Sequence, residues 1–325
     1  LSNPDLRELT LHRNTCSLPY GGRYRVIDFM LSNMVNAGIS DVGLIVHTNY
    51  QSLLDHLGSG KDWDLSRKHG GLRILPPFGY AEKQEGIYRG RMDALAGVRS
   101  YLQNIRQDHV VLAGGDTAVS LPLADVYAQH ISSGADITAV CTAQPMGDSK
   151  NCDYLTVGPD GRITDVSIRP TAAQEGYTSL EVYILSKELL LSLVDHCAAH
   201  NTPSFSSGVL QAMIDKLKIC PYVFEGYAAR LQTVSGYFAR SMELLNPAVR
   251  AQLFDPDRPV RTKDQSNPST YYGPGAKAVN SLVADGCIIE GEVENSILSR
   301  GVHVAKGAVV KNCILMQSAV IGEGA

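Results

Sequence analysis

The sequence predicts an α/β domain with a Rossmann-like, mainly parallel sheet, followed by a parallel β-helix built from hexapeptide repeats. Short apolar runs alternate with helical patterns up to about residue 246, as in proteins whose parallel strands are joined by crossover helices. Beyond residue 278 an aliphatic residue recurs about every six positions. We therefore assign 1–246 to the α/β domain, 247–278 to a linker and 279–325 to a β-helix with an unfinished last coil.

Buried strands and crossover helices are predicted in the first domain from their different apolar periods. The strands are continuous apolar runs, and they cover 42–46, 110–113 and 137–140. The helices carry apolar residues at helical spacing, and they cover 28–37, 50–57 and 93–105. Helices are therefore expected on both faces of the sheet.

A tight turn is predicted between two further strands, 154–157 and 162–166. The turn is Gly158–Gly161, with the sequence G-P-D-G, in which proline fixes φ and glycine accepts a positive φ. This pattern favours a β-hairpin.

The β-helix prediction depends on steps of six residues, such as 281–286, 287–292 and 293–298. Each step contains aliphatic residues and ends in small or turn-forming residues, which lets parallel coils stack on one another. Chance alternation in a β-sandwich is the alternative interpretation.

The composition excludes several classes of function. The chain has 325 residues, 44% of them hydrophobic and 19% charged, which is enough to form a sizeable buried core. Its formal net charge of -4 provides no overall positive field, so nucleic acid and anionic membranes are not expected partners.

The cysteines and the apolar runs indicate a cytoplasmic protein. Seven cysteines lie far apart, without the spacing of a zinc site. No apolar run reaches the roughly 18 to 20 residues of a membrane span, and the first residues do not form a signal peptide. We expect a reducing, cytoplasmic environment.

A candidate ligand site follows the predicted strand 110–113. Gly114-Gly115-Asp116 stands at the carboxyl end of that strand, where open α/β sheets bind ligands. Glycines let a nucleotide approach the backbone, and Asp116 could hold a metal ion. An ordinary turn is the alternative interpretation.

Several motifs resemble those of bacterial glucose-1-phosphate adenylyltransferases. Residues 19–39, which contain P-Y-G-G-R-Y-R-V-I-D-F, closely resemble a stretch near the start of that family. Residues 88–94 resemble its nucleotide-facing Y-R-G-T-A-D-A, residues 182–185 its G-I-Y-V-F strand, and Gly115-Asp116 its S-G-D metal site. The hexads of 280–317 resemble its β-helix. The resemblance implies a nucleotidyltransferase domain followed by a left-handed β-helix.

The resemblance also implies a chemistry. The family transfers an adenylyl group from ATP to glucose 1-phosphate, which releases pyrophosphate and forms ADP-glucose for glycogen. This in-line substitution requires two carboxylates that hold Mg²⁺ and a glycine-rich loop with basic residues around the triphosphate.

Two of the family's ligand-binding motifs are altered in this chain. The G-G-x-G-T-R-L loop should lie shortly before Pro19, but residues 5–13 read D-L-R-E-L-T-L-H-R and no glycine precedes Gly21. The sugar-phosphate motif F-x-E-K-P falls on 166–170, where isoleucine replaces glutamate and arginine replaces lysine. We predict that the phosphate-binding loop and one sugar-facing acceptor are absent.

The second metal position is altered most. The family's G-Y-W-x-D-V-G-T aligns with 226–233, which places Arg230 where the family has a metal-binding aspartate. Unit charges about 4 Å apart interact by about 4 kcal/mol at an effective dielectric constant near 20, and here the interaction opposes a dication. Asp116 is then the one remaining ligand, and we predict that Arg230 pairs with it. Arg91-Met92 replaces Thr-Ala beside the nucleotide.

Four arginines are candidate contacts for a phosphorylated effector or a nucleotide, because guanidinium groups bind phosphate in a bidentate manner. They are Arg23, Arg25, Arg89 and Arg169. Ordinary salt bridging is the alternative. Trp63, in a polar loop, could stack on a ligand or on a partner subunit.

These losses imply a regulatory, non-catalytic subunit of glucose-1-phosphate adenylyltransferase, with no intact catalytic set and no resident metal or cofactor. Its expected partner is the catalytic subunit, in a hetero-tetramer, with a small phosphorylated metabolite or a nucleotide as a further ligand. One alternative is an active nucleotidyltransferase, which would use Mg²⁺. A second is a β-helix acyltransferase with His303 as general base.

Overall fold

The computed structural model describes residues 4–77, 88–144, 146, 151–172 and 174–325. Short 3₁₀ helices begin the chain at Pro4–Thr10 and Thr15–Ser17. The α-helices are α1 (Val26–Asn36), α2 (Gln51–Leu57), α3 (Arg91–Gly97), α4 (Arg99–Asn104), α5 (Leu123–Ser133), α6 (Lys187–Ala199), α7 (Val234–Met242) and α8 (Pro247–Leu253). None of the helices in these described ranges is long and apolar enough to cross a membrane.

The strands of the α/β domain are β1 (Pro19–Tyr20), β2 (Tyr24–Arg25), β3 (Asp41–Ile45), β4 (Gly71–Leu75), β5 (His109–Ala113), β6 (Thr117–Val119), β7 (Ile137–Thr142), β8 (Tyr154–Val157), β9 (Ile163–Ser167), β10 (Tyr177–Ser186), β11 (Ile219–Val223) and β12 (Ala228–Arg230). Those of the β-helix are β13 (Tyr271–Tyr272), β14 (Lys277–Val279), β15 (Leu282–Val283), β16 (Ile288–Ile289), β17 (Glu292–Glu294), β18 (Ile297–Leu298), β19 (His303–Val304), β20 (Val309–Lys311), β21 (Ile314–Leu315) and β22 (Val320–Ile321).

The central sheet of the α/β domain is built around β10. Its order is β11-β7-β10-β8-β9, and β5 also pairs with β10. β11 is parallel to β7, whereas β10 is antiparallel to both β5 and β7, so β5, β7 and β11 point the same way. The pair β6 and β12 and the pair β3 and β4 form separate ribbons.

Helices cover both faces of this sheet, as predicted. On β10, Tyr183 and Leu185 pack into one apolar cluster with residues of α3, α4 and α6. Val182 and Ile184, which alternate with them, pack on the other face against α1 and α5. This alternation follows from the two-residue period of a strand, and it buries the middle of β10 completely.

The predicted strands of the α/β domain are confirmed as β3, β5 and β7, and the hairpin is confirmed as β8 and β9. The predicted helices become α1, α2 and the pair α3 and α4. Val98 interrupts the last prediction, because its φ of -113° and ψ of 20° are not helical.

The β-helix has three parallel faces, β13-β16-β19-β22, β14-β17-β20 and β15-β18-β21. Apolar side chains fill its interior, among them Ile289, Val293 and Val304. Asn280, Asn295 and Asn312 have positive φ angles of 44°, 46° and 52°, and asparagine tolerates this conformation where the chain turns between faces. The coils predicted from the hexads are therefore confirmed.

The segment 247–278, which we assigned to a linker, contains α8 and β13. Pairing within the β-helix begins at Tyr271, which lies opposite Ile288. The β-helix also packs on the α/β domain, because Ile297 shares an apolar cluster with Phe29 of α1. Gly22 fits closely at this contact, since an added Cβ would lie 3.2 Å from the backbone oxygen of Leu298.

Candidate active site

A cavity of about 1430 Å³ opens at the carboxyl end of β5. Gly114, Gly115 and Asp116 lie at this end, as the sequence predicts for a ligand site, and all three line the cavity. Gly115 also has a packing role, because an added Cβ would lie 2.8 Å from Ile27 Cδ1 and 3.0 Å from Cys16 Sγ. The glycine therefore brings this backbone close to α1.

Arg230 is the buried charge beside this cavity. It lies at the end of β12, opposite Thr117 of β6, and its side chain has no exposed surface. Nε donates to Thr117 Oγ1 over 3.3 Å, and Nη1 forms an ion pair with Glu181 Oε1 at 3.2 Å. Nη1 and Nη2 are both buried, and neither makes a hydrogen bond to any described residue, so the contact with Glu181 is an ion pair only.

The predicted pair between Arg230 and Asp116 is wrong. Within the described ranges no ion pair of 4 Å or less joins these two side chains, and Glu181 is the partner instead. The strand pairing explains the difference, because Arg230 faces Thr117 across the β6–β12 ribbon and extends from there toward β10. Burial lowers the pKa of Arg230, but the carboxylates of Glu181 and Asp116 outweigh burial and raise that pKa overall. Arg230 is therefore a permanent cation.

Glu181 holds two guanidinium groups at once. Arg91 Nη2 lies 2.8 Å from Glu181 Oε2, while Arg230 occupies the other carboxylate oxygen. The charge of Arg230 is the main cause of the lowered pKa of Glu181; burial opposes it, and Arg91 adds to the lowering. The Arg91 guanidinium also lies 5.5 Å from the ring centroid of Tyr183. The result is a compact Arg91–Glu181–Arg230 cluster at the wall of the cavity.

Glu181 was not predicted to be a site residue, although its place in the G-I-Y-V-F motif gives an indication of its role. If Tyr183 aligns with the tyrosine of G-I-Y-V-F, then Glu181 stands where that motif has glycine. Glu181 has a φ of 55° at a register shift in β10, which is the left-handed conformation that glycine adopts most easily. Glu181 at the glycine position of one motif and Arg230 at the aspartate position of the other are opposite in charge, and their side chains are in contact.

Of the four arginines predicted to bind an anion, Arg169 lines the cavity and the other three do not. Arg25 Nη1 donates to the backbone oxygen of Ser52 over 2.5 Å, so it ties the start of α1 to α2. Arg23 is exposed and lies over the ring of Tyr24 at 5.7 Å. Arg89 pairs with Asp93 at 2.8 Å. The structure therefore does not bring the four together, and their role in anion binding stays a prediction.

Three other residues that the sequence singled out lie in the hydrophobic core or pack against it. Met92 is buried in the apolar cluster of α3 and α6, so its bulk does not face a nucleotide. Ile168, at the glutamate position of the sugar-phosphate motif, packs against the same cluster. Trp63 has no exposed surface and lies edge-on to His56 at 5.5 Å, so the suggestion that it stacks on a ligand or partner is wrong.

The N-terminal segment lies at the mouth of the cavity. Asp5 and Asn14 both line the cavity, and Leu6 between them is buried. Arg7 has a φ of 44° and kinks the 3₁₀ helix Pro4–Thr10. Residues 1–3 lie outside the described ranges, so the predicted absence of a phosphate-binding loop stays a prediction.

The surroundings of Asp116 carry a fixed positive charge. The buried guanidinium of Arg230 carries its positive charge beside the two carboxylates that could otherwise approach a metal, Asp116 and Glu181. Across the described part of the chain, no three His, Cys, Asp or Glu side chains are grouped so that they could hold a metal ion.

His303, the candidate general base of the acyltransferase alternative, lies on an outer face of the β-helix. Its Nε2 is 3.2 Å from Glu290 Oε2, and it stands in a column between Ile288 and Val320. It does not line the cavity beside Asp116. A hydrogen-bond contact between neighbouring coils of the β-helix accounts for its position.

Comparison with known proteins covers both parts of the structure. Residues 5–228 match the family model described as nucleotidyl transferase. Residues 269–325 match the model described as GlmU-like, C-terminal hexapeptide. The second match contains the coils of the left-handed parallel β-helix and begins close to β13.

Individual relatives resemble the chain over nearly its whole length. It is 39% identical over 312 residues to the glycogen biosynthesis protein GlgD of Bacillus subtilis, an alignment that covers 94% of this chain and 79% of the relative. It is 32% identical to the glucose-1-phosphate adenylyltransferase of Geobacillus stearothermophilus, over 94% of this chain and 80% of the relative. The corresponding enzyme of Pseudothermotoga lettingae is 34% identical, over 90% of this chain and 70% of the relative.

Proposed function

Since this chain belongs to the nucleotidyl transferase family, alongside the glucose-1-phosphate adenylyltransferases, we propose that it is a regulatory, non-catalytic subunit of such an enzyme in bacterial glycogen biosynthesis. The substitution at the metal site carries this proposal. By the resemblance of 226–233 to the family's G-Y-W-x-D-V-G-T, Arg230 takes the position of the second metal-binding aspartate. Its side chain is buried and paired with Glu181.

The charge at this position supports the proposal that the chain alone is not catalytic. Adenylyl transfer needs a divalent cation to neutralise the phosphates as the bond to pyrophosphate breaks. Here the positive charge is a fixed guanidinium, held by a carboxylate on β10 rather than by a ligand. A single buried cation cannot bridge the phosphate oxygens as a metal does.

The substitution at position 230 is compensated by other residues of the fold, so the site is not simply an active site that has lost a ligand. Glu181 pairs with Arg91 and Arg230 together, and both arginines lose this partner if Glu181 changes. An isolated Asp-to-Arg substitution would bury an uncompensated charge, which in proteins costs about 3–5 kcal/mol. The matched acid at position 181 offsets part of that cost. The non-catalytic form of the site is therefore a stable arrangement.

The regulatory role requires a partner, and we assign it to a catalytic adenylyltransferase subunit in a hetero-tetramer. The similarity to GlgD and to adenylyltransferases supports a partner in the glycogen pathway. Arg169, exposed at the cavity and set at a φ of 43°, is the arginine best placed to contact a phosphorylated metabolite or a nucleotide.

The test is ADP-glucose synthesis by the catalytic partner with and without this chain, titrated with activating and inhibiting metabolites. We expect the mixture to differ from the partner alone in maximal rate or in the effector concentration at half-effect, and native mass spectrometry to show a mixed tetramer. An Arg169→Ala variant should weaken the effector response and leave assembly unchanged. Identical curves with and without this chain would contradict the proposal.

An active nucleotidyltransferase is the second candidate. It is favoured by Asp116, which remains at the carboxyl end of β5, and by relatives that are adenylyltransferases at 30–34% identity. It requires Mg²⁺ to bind beside Arg230. Turnover by this chain in the absence of any partner would establish it.

A further inference from the structure

The cavity wall at the carboxyl end of β5 carries an excess of positive charge. Three guanidinium groups act on the carboxylate of Glu181. The charge of Arg230 lowers the pKa of that carboxyl most; burial opposes this effect, and Arg91 and then Arg169 add to the lowering. Asp116, between β5 and β6, is the second acid of the cluster. Three cations therefore face two carboxylates, and the cluster has one net positive charge.

Arg169 has a guanidinium group that is available to a ligand. Its side chain is exposed at the cavity wall, and within the described ranges no hydrogen bond or ion pair occupies it. Arg91 also lines the cavity, and its side chain is 25% exposed although it pairs with Glu181. Arg230 is fully buried, so it adds charge to the wall without contact. Two cations can therefore touch a ligand, and a third strengthens their field.

The space above Gly114 lies between opposite charges. A Cβ added at Gly114 would lie 3.0 Å from Asp116 Oδ1 and 3.9 Å from Arg91 Nη2. Because glycine has no side chain, ligand atoms can occupy this point. A phosphate group there would be attracted by Arg91 and repelled by Asp116. Asp108, another acid that lines the cavity, precedes β5 and is separated from Gly114 by the length of that strand, about 20 Å.

We propose that this end of the cavity binds a diphosphate or triphosphate group as the free anion, without a divalent cation, and that Mg²⁺ weakens the binding. Arg91 and Arg169 contact the phosphate oxygens, because a guanidinium group matches them in charge and geometry. The cavity of about 1430 Å³ has room for a nucleoside attached to such a phosphate chain.

The direction of the Mg²⁺ effect follows from the charges. A Mg²⁺ ion bound to the phosphate chain cancels two of its negative charges, so the attraction of the chain to a positive wall decreases. The ion is also repelled by the fixed charge of Arg230. A cleft in which the metal bridges Asp116 and the phosphates behaves in the opposite way, because the ion then joins two anions. The metal dependence of binding separates these two kinds of cleft.

This inference deepens the proposed function, on which it rests for the identity of the cleft, and it names the class of ligand that the cleft takes. The two can fail separately. The proposed function is tested by ADP-glucose synthesis with the catalytic partner, whereas the ligand class is tested by binding to this chain alone.

Isothermal titration calorimetry of the full-length protein with ATP or with pyrophosphate, each in EDTA and in excess MgCl₂, tests the metal dependence. We expect a dissociation constant about tenfold lower in EDTA than in MgCl₂. Binding of ATP but not of pyrophosphate would assign the anion to a nucleotide, and similar binding of both would assign it to the phosphate chain alone. Tighter binding in MgCl₂, or no binding in EDTA, would overturn the proposal and leave the regulatory function standing.

Asp116→Asn tests the sign of the interaction at a single carboxylate. The amide keeps the shape of the side chain and removes its repulsion of phosphate, so ATP should bind about threefold more tightly in EDTA. Arg169→Ala should weaken the same binding about tenfold. The matched control is Arg99→Ala, which removes an exposed pair with Asp195 outside the cavity and should change nothing. Weaker binding by Asp116→Asn, or unchanged binding by Arg169→Ala, would contradict the proposal.

A double variant, Glu181→Gly with Arg230→Asp, restores the family's residues at both motif positions. In this variant MgCl₂ should tighten the binding of ATP, which reverses the preference of the native protein. Thermal unfolding shows whether the variant is folded, and Asp116→Asn decides the question if it is not. A folded double variant that keeps the native preference for EDTA would show that the arginine cluster does not cause it, and would overturn the proposal.

Discussion

At the scale of single residues, Glu181 and Arg230 form an internal ion pair at the cleft. Glu181 and Arg230 are 3.2 Å apart, and Arg91 holds the second oxygen of the same carboxylate. The side chain of Arg230 has no exposed surface, so its charge depends on Glu181 rather than on solvent. This dependence leads to two predictions.

Replacement of Arg230 by alanine should destabilise the protein by up to about 3 kcal/mol, because it leaves the partly buried carboxylates of Glu181 and Asp116 without the charge of Arg230. Thermal unfolding should show a decrease in melting temperature of several degrees. The matched control is Arg99→Ala, which removes an exposed pair with Asp195. An equal change in the two variants would show that Arg230 contributes no more than a surface ion pair does.

The ion pair should also make stability depend on pH. The charge of Arg230 is the main cause of the lowered pKa of Glu181, from an ordinary value of 4.5. The contribution of this ion pair to the free energy of unfolding is therefore complete above pH 4.5. It is lost as the pH falls through the lower pKa that Glu181 has in the folded state. Between about pH 5 and pH 3, the melting temperature of the native protein should fall more steeply than that of Glu181→Gln. If the melting temperatures of the two proteins fell in parallel, Glu181 would have no role in the pH dependence of stability.

At the scale of elements, the junction between the α/β domain and the β-helix depends on one close approach. Gly22 has a φ of 82° and lies against the backbone of Leu298, and Ile297 packs into the cluster that contains Phe29. A Cβ at position 22 would press against the backbone oxygen of Leu298, which cannot move as a flexible side chain can. The junction should therefore be more sensitive to added volume than an open turn is.

Gly22→Ala should destabilise the protein more than Gly38→Ala. Both glycines have positive φ angles, 82° and 79°, so both variants bear the same left-handed strain of about 1–2 kcal/mol. Only Gly22 has a close neighbour, because nothing lies within 4 Å of a Cβ added at Gly38. Urea unfolding of the two variants measures the difference. Equal destabilisation of the two variants would mean that the close contact between Gly22 and Leu298 adds no steric penalty.

Periodicity alone locates most of the elements, because burial on one or two faces leaves a regular apolar pattern in β3, β5, β7 and the coils of the β-helix. The ion pair of Glu181 and Arg230 could not be located in this way. Its members are far apart in sequence, and they meet only because β12 pairs with β6 beside the register shift in β10. The order of strands in space decides such contacts, and apolar periodicity does not encode it.

For the whole molecule, α1 connects the cleft to the β-helix. Ile27 and Met30 line the cavity, while Phe29 of the same helix packs in the cluster that includes Ile297 of the β-helix. The ligand cavity and the β-helix are therefore in contact with one rigid element. Under the proposed function, α1 is the element that would transmit the occupancy of the cleft to a partner subunit through the β-helix.

Under the proposed function, this chain does not catalyse adenylyl transfer alone. The most direct test is the formation of radiolabelled ADP-glucose from ATP, Mg²⁺ and labelled glucose 1-phosphate by the purified full-length protein without a partner. We predict no product above that of an Asp116→Ala variant prepared in the same way, because Arg230 opposes the second metal contact. Turnover that exceeds this control, and that requires Mg²⁺, would contradict the account.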